Sequence, residues 1–363
     1  MASVWSNGIT ISIFGESYSK GIGVVIDNFP CGVFINFKDI NKNMKLRGPL
    51  SHTVGASGRR EDDRFEVLSG IYKNYTTGTP ISVIIYNKAL SQSSYSYIKN
   101  TPRPSHADFT GGIRYNFFND ERGGGHFSGR LTAPIVFAGS VCQQALIKKK
   151  IKVFAHIYSI SDVKDFEIEN YGSSLHELYK LKEKDIAVLD SEKINIIKEK
   201  VELAKKCGDS LGGVVECAVF GMPAGIGSPM FDGIENYISS AMFAIPAVKG
   251  IEFGKGFEFG NMKGSNGNDE FYIKDGVVRT KTNNNGGILG GISTGMPIVF
   301  KVAFKPTPTI FKLQNTVNLK LSKNCKILCR GYHDSCIALR GVVVVEAAAN
   351  IAILSQLVYQ GKY

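Results

Sequence analysis

Three consecutive glycines at positions 123–125 lie within a stretch, residues 103–132, that is rich in ionisable side chains. A glycine turn lets the backbone come close to a ligand, and successive exposed N–H groups in such a turn attract anions. The ionisable side chains around it are Arg103, His106, Asp108, Arg114, Arg122, His126 and Arg130. This combination predicts an anion-binding site; the alternative is a solvated glycine hairpin beside a surface helix.

A helix is predicted directly after the glycines, at roughly residues 133–149. Thr132 is the expected N-cap, and Pro134 suits the first turn, where its missing N–H is not needed. The N-terminus of a helix favours anions because its unpaired N–H groups and its dipole both face them. The helix start therefore adds to the predicted anion site.

Arginine is concentrated near this stretch. The formal net charge is +11, and eight of the 11 arginines lie between Arg47 and Arg130. Because the planar guanidinium suits carboxylate and phosphate groups, this distribution favours a small anionic ligand. Nucleic-acid binding is the rival explanation of a basic chain, but no basic run is interleaved with stacking aromatic residues.

The chain totals limit the class of protein. A length of 363 residues with 43% hydrophobic residues suits one large globular domain or two of ordinary size. Seven cysteines without a CxxC pair predict reduced thiols in the cytosol and no metal site. The first ten residues lack the features of a signal peptide, and no run of about 20 apolar residues would cross a bilayer. We therefore expect a cytoplasmic protein without a membrane partner.

The flanking segments predict the elements that position these residues. In the first half, residues 8–14 predict a strand, and residues 21–37 predict a strand, a turn at 28–32 and another strand. Residues 65–87 predict two further strands.

In the second half, residues 164–206 have the spacing of solvated helices. Helices are also predicted at roughly 232–244 and 342–360, and a strand at 298–304. Because both halves run from glycine-rich strands through a loop to one apolar helix, we expect an internal duplication.

Many short motifs together resemble chorismate synthases over nearly the whole chain. In order, they are FGES at 14–17, RRExD at 59–63, SGIYKNYTTGTPI at 69–81, RPSHADFT at 103–110, GGGHFSGRLTAP at 123–134, GDSLGG at 208–213, IPAVKGIEFGKGF at 245–257, GSNGNDEF at 264–271, NNNGGILGGISTG at 283–295, KPTPTI at 305–310 and HDSCI at 333–337. Each motif alone has low specificity. All of them in the family's order and spacing make a strong match.

The resemblance implies an α/β (α+β) fold, a single β-α-β sandwich over residues 1–363 with pseudo-twofold internal symmetry, assembled as a homotetramer. It implies a lyase that eliminates phosphate in an anti-1,4 sense from 5-enolpyruvylshikimate 3-phosphate to give chorismate, the last step of the shikimate pathway. Reduced FMN is the implied cofactor. NAD(P)H is implied only if the protein reduces its own flavin, and an external flavin reductase is the implied partner otherwise.

The resemblance also implies roles for individual residues. His106 would offset the negative charge of the reduced flavin, and Asp334 with Ser17 would relay a proton. Arg47, Arg103 and Arg130 would bind the substrate or a dinucleotide. The implied flavin contacts are His126, Phe127, Ser128, Pro246, Ala247, Gly290, Lys305, Thr309 and Tyr332. Without the resemblance, His106 could be a surface or core histidine, Asp334 a helix cap and Lys305 a solvated strand edge.

Two departures from the family pattern lie at the residues implied to carry the chemistry. Tyr18 stands where the family has the histidine implied to protonate the departing phosphate, and Tyr332 stands where it has an arginine. A tyrosine hydroxyl, with an ordinary pKa of about 10, would be a neutral donor. Loss of a positioned general acid commonly costs on the order of 10²- to 10⁴-fold in rate. The alternative function is therefore a weakened homologue that binds flavin or an acidic metabolite.

Overall fold

The structure is a computed structural model that describes residues 3–48, 63–87, 100–169, 175–329 and 333–363. Within these ranges the chain forms two five-stranded antiparallel sheets and four two-stranded hairpins. The longest helices lie between the two large sheets and contact both of them. The fold is therefore a mixed α+β sandwich, and the predicted fold class is confirmed.

The first half of the chain builds one large sheet, in the order β1-β2-β3-β7-β4. The strands are β1 (Val4–Asn7), β2 (Ile9–Gly15), β3 (Gly21–Asp27), β4 (Phe65–Ser69), β5 (Ile71–Tyr72), β6 (Tyr75–Thr76) and β7 (Ile81–Tyr86). The helices are α1 (Phe37–Arg47), α2 (Asp108–Arg114) and α3 (Thr132–Lys148). Strands β5 and β6 form a separate hairpin between β4 and β7.

The second half builds the other large sheet, in the order β11-β16-β10-β8-β9. The strands are β8 (Lys152–Ile160), β9 (Val163–Lys164), β10 (Gly213–Phe220), β11 (Val248–Phe253), β12 (Phe271–Lys274), β13 (Val277–Thr280), β14 (Ile288–Leu289), β15 (Ile292–Ser293), β16 (Ile298–Phe304), β17 (Leu313–Asn318) and β18 (Lys323–Leu328). The helices are α4 (Leu175–Lys180), α5 (Lys193–Lys206), α6 (Ile234–Phe243), α7 (Gly264–Gly267) and α8 (Ala338–Tyr359).

The two halves repeat one topology. Each half runs strand, strand, helix, strand, strand, helix: β2, β3, α1, β4, β7 and α3 in the first, and β8, β10, α6, β11, β16 and α8 in the second. The last strand of each repeat is inserted between two earlier ones: β7 lies between β3 and β4, and β16 lies between β10 and β11. This shared order is the internal duplication that the sequence predicted.

Helices α3 and α8 pack against each other at the centre of the sandwich. A side chain at Gly139 of α3 is excluded, because its Cβ would lie 2.4 Å from the Cα of Ala347 in α8. By length and composition α8 could cross a membrane, but 89% of its most apolar segment is buried inside the protein. A helix that is apolar on every side is typical of a core position between two layers.

Two local predictions are wrong. The strand expected at the end of residues 21–37 is absent: Phe34 makes an isolated bridge to Tyr75, and α1 begins at Phe37. Asn36 caps that helix by accepting a hydrogen bond from the N–H of Lys38 at 3.0 Å. The predicted cap Thr132 is instead the first residue of α3, and its hydroxyl donates to the carbonyl of Gly129 at 2.7 Å.

Apolar residues between β8 and β10 pack on the second sheet, and a buried histidine attaches this part of the chain there. The residues that pack are Ile168, Leu178, Leu181 and Leu189, which contact Phe154, Ala218 and Val299 of the sheet. His156 Nδ1 lies 3.2 Å from Asp165, and Nε2 lies 2.9 Å from Glu216. Asp165 also accepts the N–H of Leu189, and Glu216 accepts that of Ile168. Burial alone would lower the pKa of His156, but hydrogen bonds from the imidazolium to Asp165 and Glu216 raise it above 6.5.

We expect the stability from protonated His156 to be fully present below pH 6.5 and lost as the pH rises through its raised folded-state pKa. Removing one partner of a buried ionic group costs about 3–5 kcal/mol. The thermal unfolding midpoint of the wild type should therefore fall as the pH rises above 6.5 and through the raised pKa of His156. In the double variant His156→Gln/Glu216→Gln, in which Asp165 still accepts the N–H groups of Leu189 and Asp190, it should fall much less. Parallel curves for the two proteins would contradict this assignment.

Candidate active site

A cavity of about 710 Å³ lies between the glycine segment and the N-terminal ends of α3 and α8. This volume is within the range of small-molecule sites, about 300–1,000 Å³. Its walls come from β1 and β2, the glycine segment, the turn between α6 and β11, residues 304–309 and α8. Both halves of the chain thus contribute to one cavity.

Most of the predicted site residues line this cavity. They are Ser17, Arg47, Arg103, His106, His126, Phe127, Ser128, Arg130, Pro246, Ala247, Lys305, Thr309 and Asp334. Two predicted residues do not line it: Tyr18 and Gly290, the latter in the turn between β14 and β15. Tyr332 lies outside the described residues.

Cations dominate the charged part of the cavity wall. Among the described lining residues, the cationic side chains are Arg47, Arg103, Arg130, Lys305 and Arg340, and the carboxylate is Asp334. The described lining also has an apolar part, which includes Ile11, Ile13, Ile135, Val344 and Ile351. A cavity with this composition suits an anionic ligand that also has an apolar ring.

A buried carboxylate, Asp63, connects two of the predicted anion-binding arginines. Its Oδ2 accepts from Arg47 Nε at 2.7 Å, and its Oδ1 accepts from Arg130 Nη1. Arg47 Nη1 also donates to the hydroxyl of Thr132 at 3.3 Å, and Arg130 Nε donates to Asn87 at 3.1 Å. These bonds fix the two guanidinium groups relative to each other at the start of α3.

A second carboxylate, Asp108 in the first turn of α2, holds Arg103 and His106. Arg103 Nε and Nη2 each donate to one oxygen of Asp108 at 2.8 Å, and His106 Nδ1 lies 2.6 Å from Oδ1. Burial by itself raises the pKa of Asp108, but the hydrogen bonds from Arg103 and His106 hold it well below its usual range. Asp108 is therefore ionised at neutral pH and orients both cavity-lining side chains.

The glycine segment is attached to the loop after β2. The N–H and the hydroxyl of Ser17 both donate to the carbonyl of Gly125, at 3.1 and 3.2 Å. His126 Nδ1 donates to the carbonyl of Gly15 at 2.7 Å. Gly123 has a φ of +69°, and a Cβ there would lie 2.5 Å from the ring of Tyr18. Tyr18 therefore packs against the glycine backbone.

Residues 305–309 form another part of the wall. The N–H of Lys305 donates to Ala247 at 3.0 Å, and Lys305 Nζ donates to the carbonyl of Ser105 at 2.6 Å. Ala247 has a φ of +74°, a conformation that costs a non-glycine residue roughly 1–2 kcal/mol. The hydroxyl of Thr307 is buried and has no hydrogen-bond partner among the described residues. Because buried hydroxyls are normally paired, Thr307 fits a polar group of a ligand.

Several residues at this site had no role predicted from the sequence. Asp63 is part of the RRExD match at 59–63, and Thr307 is part of KPTPTI at 305–310. Trp5, the single tryptophan, lines the cavity and donates from Nε1 to Ser240 at 2.9 Å. Arg340 follows HDSCI by three residues, and its Nη1 donates to Asp334 at 2.6 Å.

The family model of chorismate synthase matches residues 9–358. The chain belongs to the chorismate synthase family. It is 42% identical over 349 residues to the chorismate synthase of Thermococcus kodakarensis, with 96% of each chain covered. It is 43% identical over 352 residues to that of Dehalococcoides mccartyi, with 94% of this chain and 93% of the relative covered.

The structural comparison agrees with this family. A solved crystal structure of chorismate synthase has a TM-score of 0.74 and 27% sequence identity, with 99% of this chain and 93% of that chain covered. Members of the chorismate synthase family are lyases of the shikimate pathway of aromatic biosynthesis. The family implies a small-molecule substrate and a flavin cofactor, and the cavity has the size for small-molecule binding.

We expect Asp63→Asn to destabilise the protein by about 3–5 kcal/mol, because it removes a buried carboxylate that accepts from two arginines. Thermal unfolding measures the effect. Asp162→Asn is the matched control, since Asp162 is an exposed partner of Lys200, and it should leave the midpoint unchanged. Equal midpoints for the two variants would show that Asp63 does not hold the arginines as described.

Proposed function

We propose that this protein is an FMN-dependent lyase that converts 5-enolpyruvylshikimate 3-phosphate to chorismate and phosphate. In this anti-1,4 elimination the C–O bond to phosphate breaks, a proton leaves a second ring carbon, and its bonding electrons complete a ring diene. There is no net oxidation or reduction. The observation that carries the proposal is the convergence of Arg47, Arg103 and Arg130 on one cavity in a member of this family.

The arginines suit the charges of that substrate. It carries two carboxylates and a phosphate, and charge-assisted hydrogen bonds from arginine to such groups are short and strong. The N-terminal turns of α3 and α8 add positive potential at the same place. Because Asp63 and Asp108 already fix these guanidinium groups, the arginine side chains lose little further conformational entropy when the substrate binds.

We infer that the flavin lies along the wall formed by residues 126–128, 246–247 and 305–309, with Lys305 and Thr309 near its phosphate. The unpaired hydroxyl of Thr307 supports a ligand at this wall. When bound, reduced FMN would supply electron density to the reacting ring and accept the departing proton. We leave Gly290 out of this proposal because it does not line the cavity.

The chain's own residues would supply charge and proton transfer. His106, oriented by Asp108, is the proposed partner of the anionic reduced flavin. Asp334, which is buried, and Ser17 are the proposed proton relay. Tyr18 packs behind Gly123, so we propose that the arginines, and not its hydroxyl, offset the charge of the departing phosphate.

We propose a cytoplasmic homotetramer. Its flavin would be reduced either by the protein itself with NAD(P)H or by a separate flavin reductase.

Anaerobic mixing of the purified protein with 5-enolpyruvylshikimate 3-phosphate and chemically reduced FMN, followed by chorismate absorbance, tests the function. We expect turnover in the wild type, and a Tyr18→His rate within about tenfold of it, because a group outside the cavity contributes less than the 10²- to 10⁴-fold of a positioned acid. Turnover in Tyr18→His alone would indicate the weakened homologue. Neither turnover nor FMN binding in either protein would refute the proposal.

A further inference from the structure

Arg340, in the first turn of α8, uses only part of its guanidinium within the protein. Nη1 donates to Asp334 Oδ2 at 2.6 Å, and Nε donates to the main-chain carbonyl of Arg47 at 2.7 Å. The side chain lines the cavity and is 15% exposed. Within the described part of the chain, its Nη2 donates to no protein group.

The two bonds that Arg340 makes determine its orientation. Arg47 is the last residue of α1, where helix carbonyls have no partner within the helix. Asp334 is a buried carboxylate four residues before the start of α8. Because a guanidinium is planar, fixing Nε and Nη1 also fixes the direction of Nη2. An oriented donor is therefore present at the cavity wall before any ligand binds.

The neighbours of Arg340 indicate which kind of group Nη2 would meet. Its partner carbonyl belongs to Arg47, whose guanidinium is bound to Asp63 at the start of α3. The first turn of α8 contributes positive potential from its own N–H groups. The cationic groups at this end of the cavity favour a carboxylate or phosphate oxygen as the acceptor.

We propose that Arg340 is an additional anion-binding residue of the cavity. Nη2 donates to a carboxylate or phosphate oxygen of the substrate, while Nη1 positions the carboxylate of Asp334. The identity of the substrate rests on the proposed function. The flavin phosphate also has anionic oxygens that accept hydrogen bonds. Because Lys305 and Thr309 are its proposed partners, we assign Nη2 to the substrate. Substrate binding and the orientation of Asp334 are then coupled, because both depend on the side chain of Arg340.

The test uses Arg340→Met, Arg340→Lys and a matched control, Arg279→Met, which changes an exposed arginine of β13 outside the cavity. Titration calorimetry gives the Kd for 5-enolpyruvylshikimate 3-phosphate and, separately, for FMN. Loss of one charge-assisted hydrogen bond predicts a substrate Kd about 10- to 100-fold weaker in Arg340→Met. The FMN Kd should stay within about twofold. Arg340→Lys should be intermediate, and Arg279→Met should equal the wild type.

A second measurement does not depend on the identity of the substrate. Inorganic phosphate should raise the thermal midpoint of the wild type and of Arg279→Met by equal amounts, and that of Arg340→Met by less than half as much. Turnover adds a third readout, because a displaced Asp334 should also change the pH profile of kcat.

Three results would overturn the proposal. The first is a substrate Kd and a phosphate-induced shift in Arg340→Met that equal those of the wild type. The second is an equal loss of affinity for substrate and FMN, which would mean a structural role. The third concerns Arg340→Lys and is used if Arg340→Met does not fold. Substrate binding by Arg340→Lys as tight as that of the wild type would then overturn the proposal. If the wild type neither binds nor converts the substrate, the proposed function fails, and the phosphate measurement still decides the role of Arg340.

Discussion

Arginine side chains are buried around the cavity, and a buried charge is costly unless a partner of opposite charge compensates it. Three carboxylates meet this constraint: Asp63 accepts from Arg47 and Arg130, Asp108 from Arg103, and Asp334 from Arg340. Asp63 precedes β4, Asp108 begins α2 and Asp334 precedes α8. Arg103 and Arg340 are paired with carboxylates five and six residues away in the chain, whereas Asp63 lies 67 residues from Arg130. The pair of Asp63 and Arg130 therefore requires the segment before β4 to meet the start of α3, so this part of the site forms only as the fold is completed.

The repeated topology explains why the cavity draws on both halves of the chain. Helices α3 and α8 occupy equivalent places at the ends of the two repeats, and the N-terminal turns of both reach the cavity wall. Gly139 allows these helices to approach closely, which brings Thr132 and Arg340 to the same site. The N-terminal ends of α3 and α8, which both favour anions, therefore meet at one cavity because the two halves of the chain repeat the same topology.

Much of this arrangement was predictable from local sequence. The alternation at 8–14 and 298–304 predicted β2 and β16, and the apolar run at 342–360 predicted most of α8. The concentration of arginine between Arg47 and Arg130 predicted an anion site. The prediction of a strand after residue 32 was wrong: its apolar residues suit a strand, but the chain turns there and Asn36 caps α1, which begins at Phe37. Local hydrophobic pattern alone could not separate these two outcomes.

Other features depend on tertiary contacts that no local pattern encodes. Ser17 and Tyr18 are adjacent in sequence, yet Ser17 lines the cavity while the ring of Tyr18 packs against Gly123. The position of Arg340 depends on the carbonyl of Arg47, 293 residues earlier in the chain. Asp63 lies in a recognisable motif, but its bonds to two arginines follow only from the fold. Such residues become identifiable once the elements around them are placed.

We propose that arginines held by buried carboxylates bind the anionic substrate in one cavity beside the flavin. A crystal structure of the protein with oxidised FMN and 5-enolpyruvylshikimate 3-phosphate would test it most directly. We expect both molecules to occupy the cavity. The carboxylate and phosphate oxygens of the substrate should lie within hydrogen-bond distance of Arg47, Arg103 and Arg130. Substrate bound elsewhere, or bound in the cavity without contact to these arginines, would show that these arginines do not bind it.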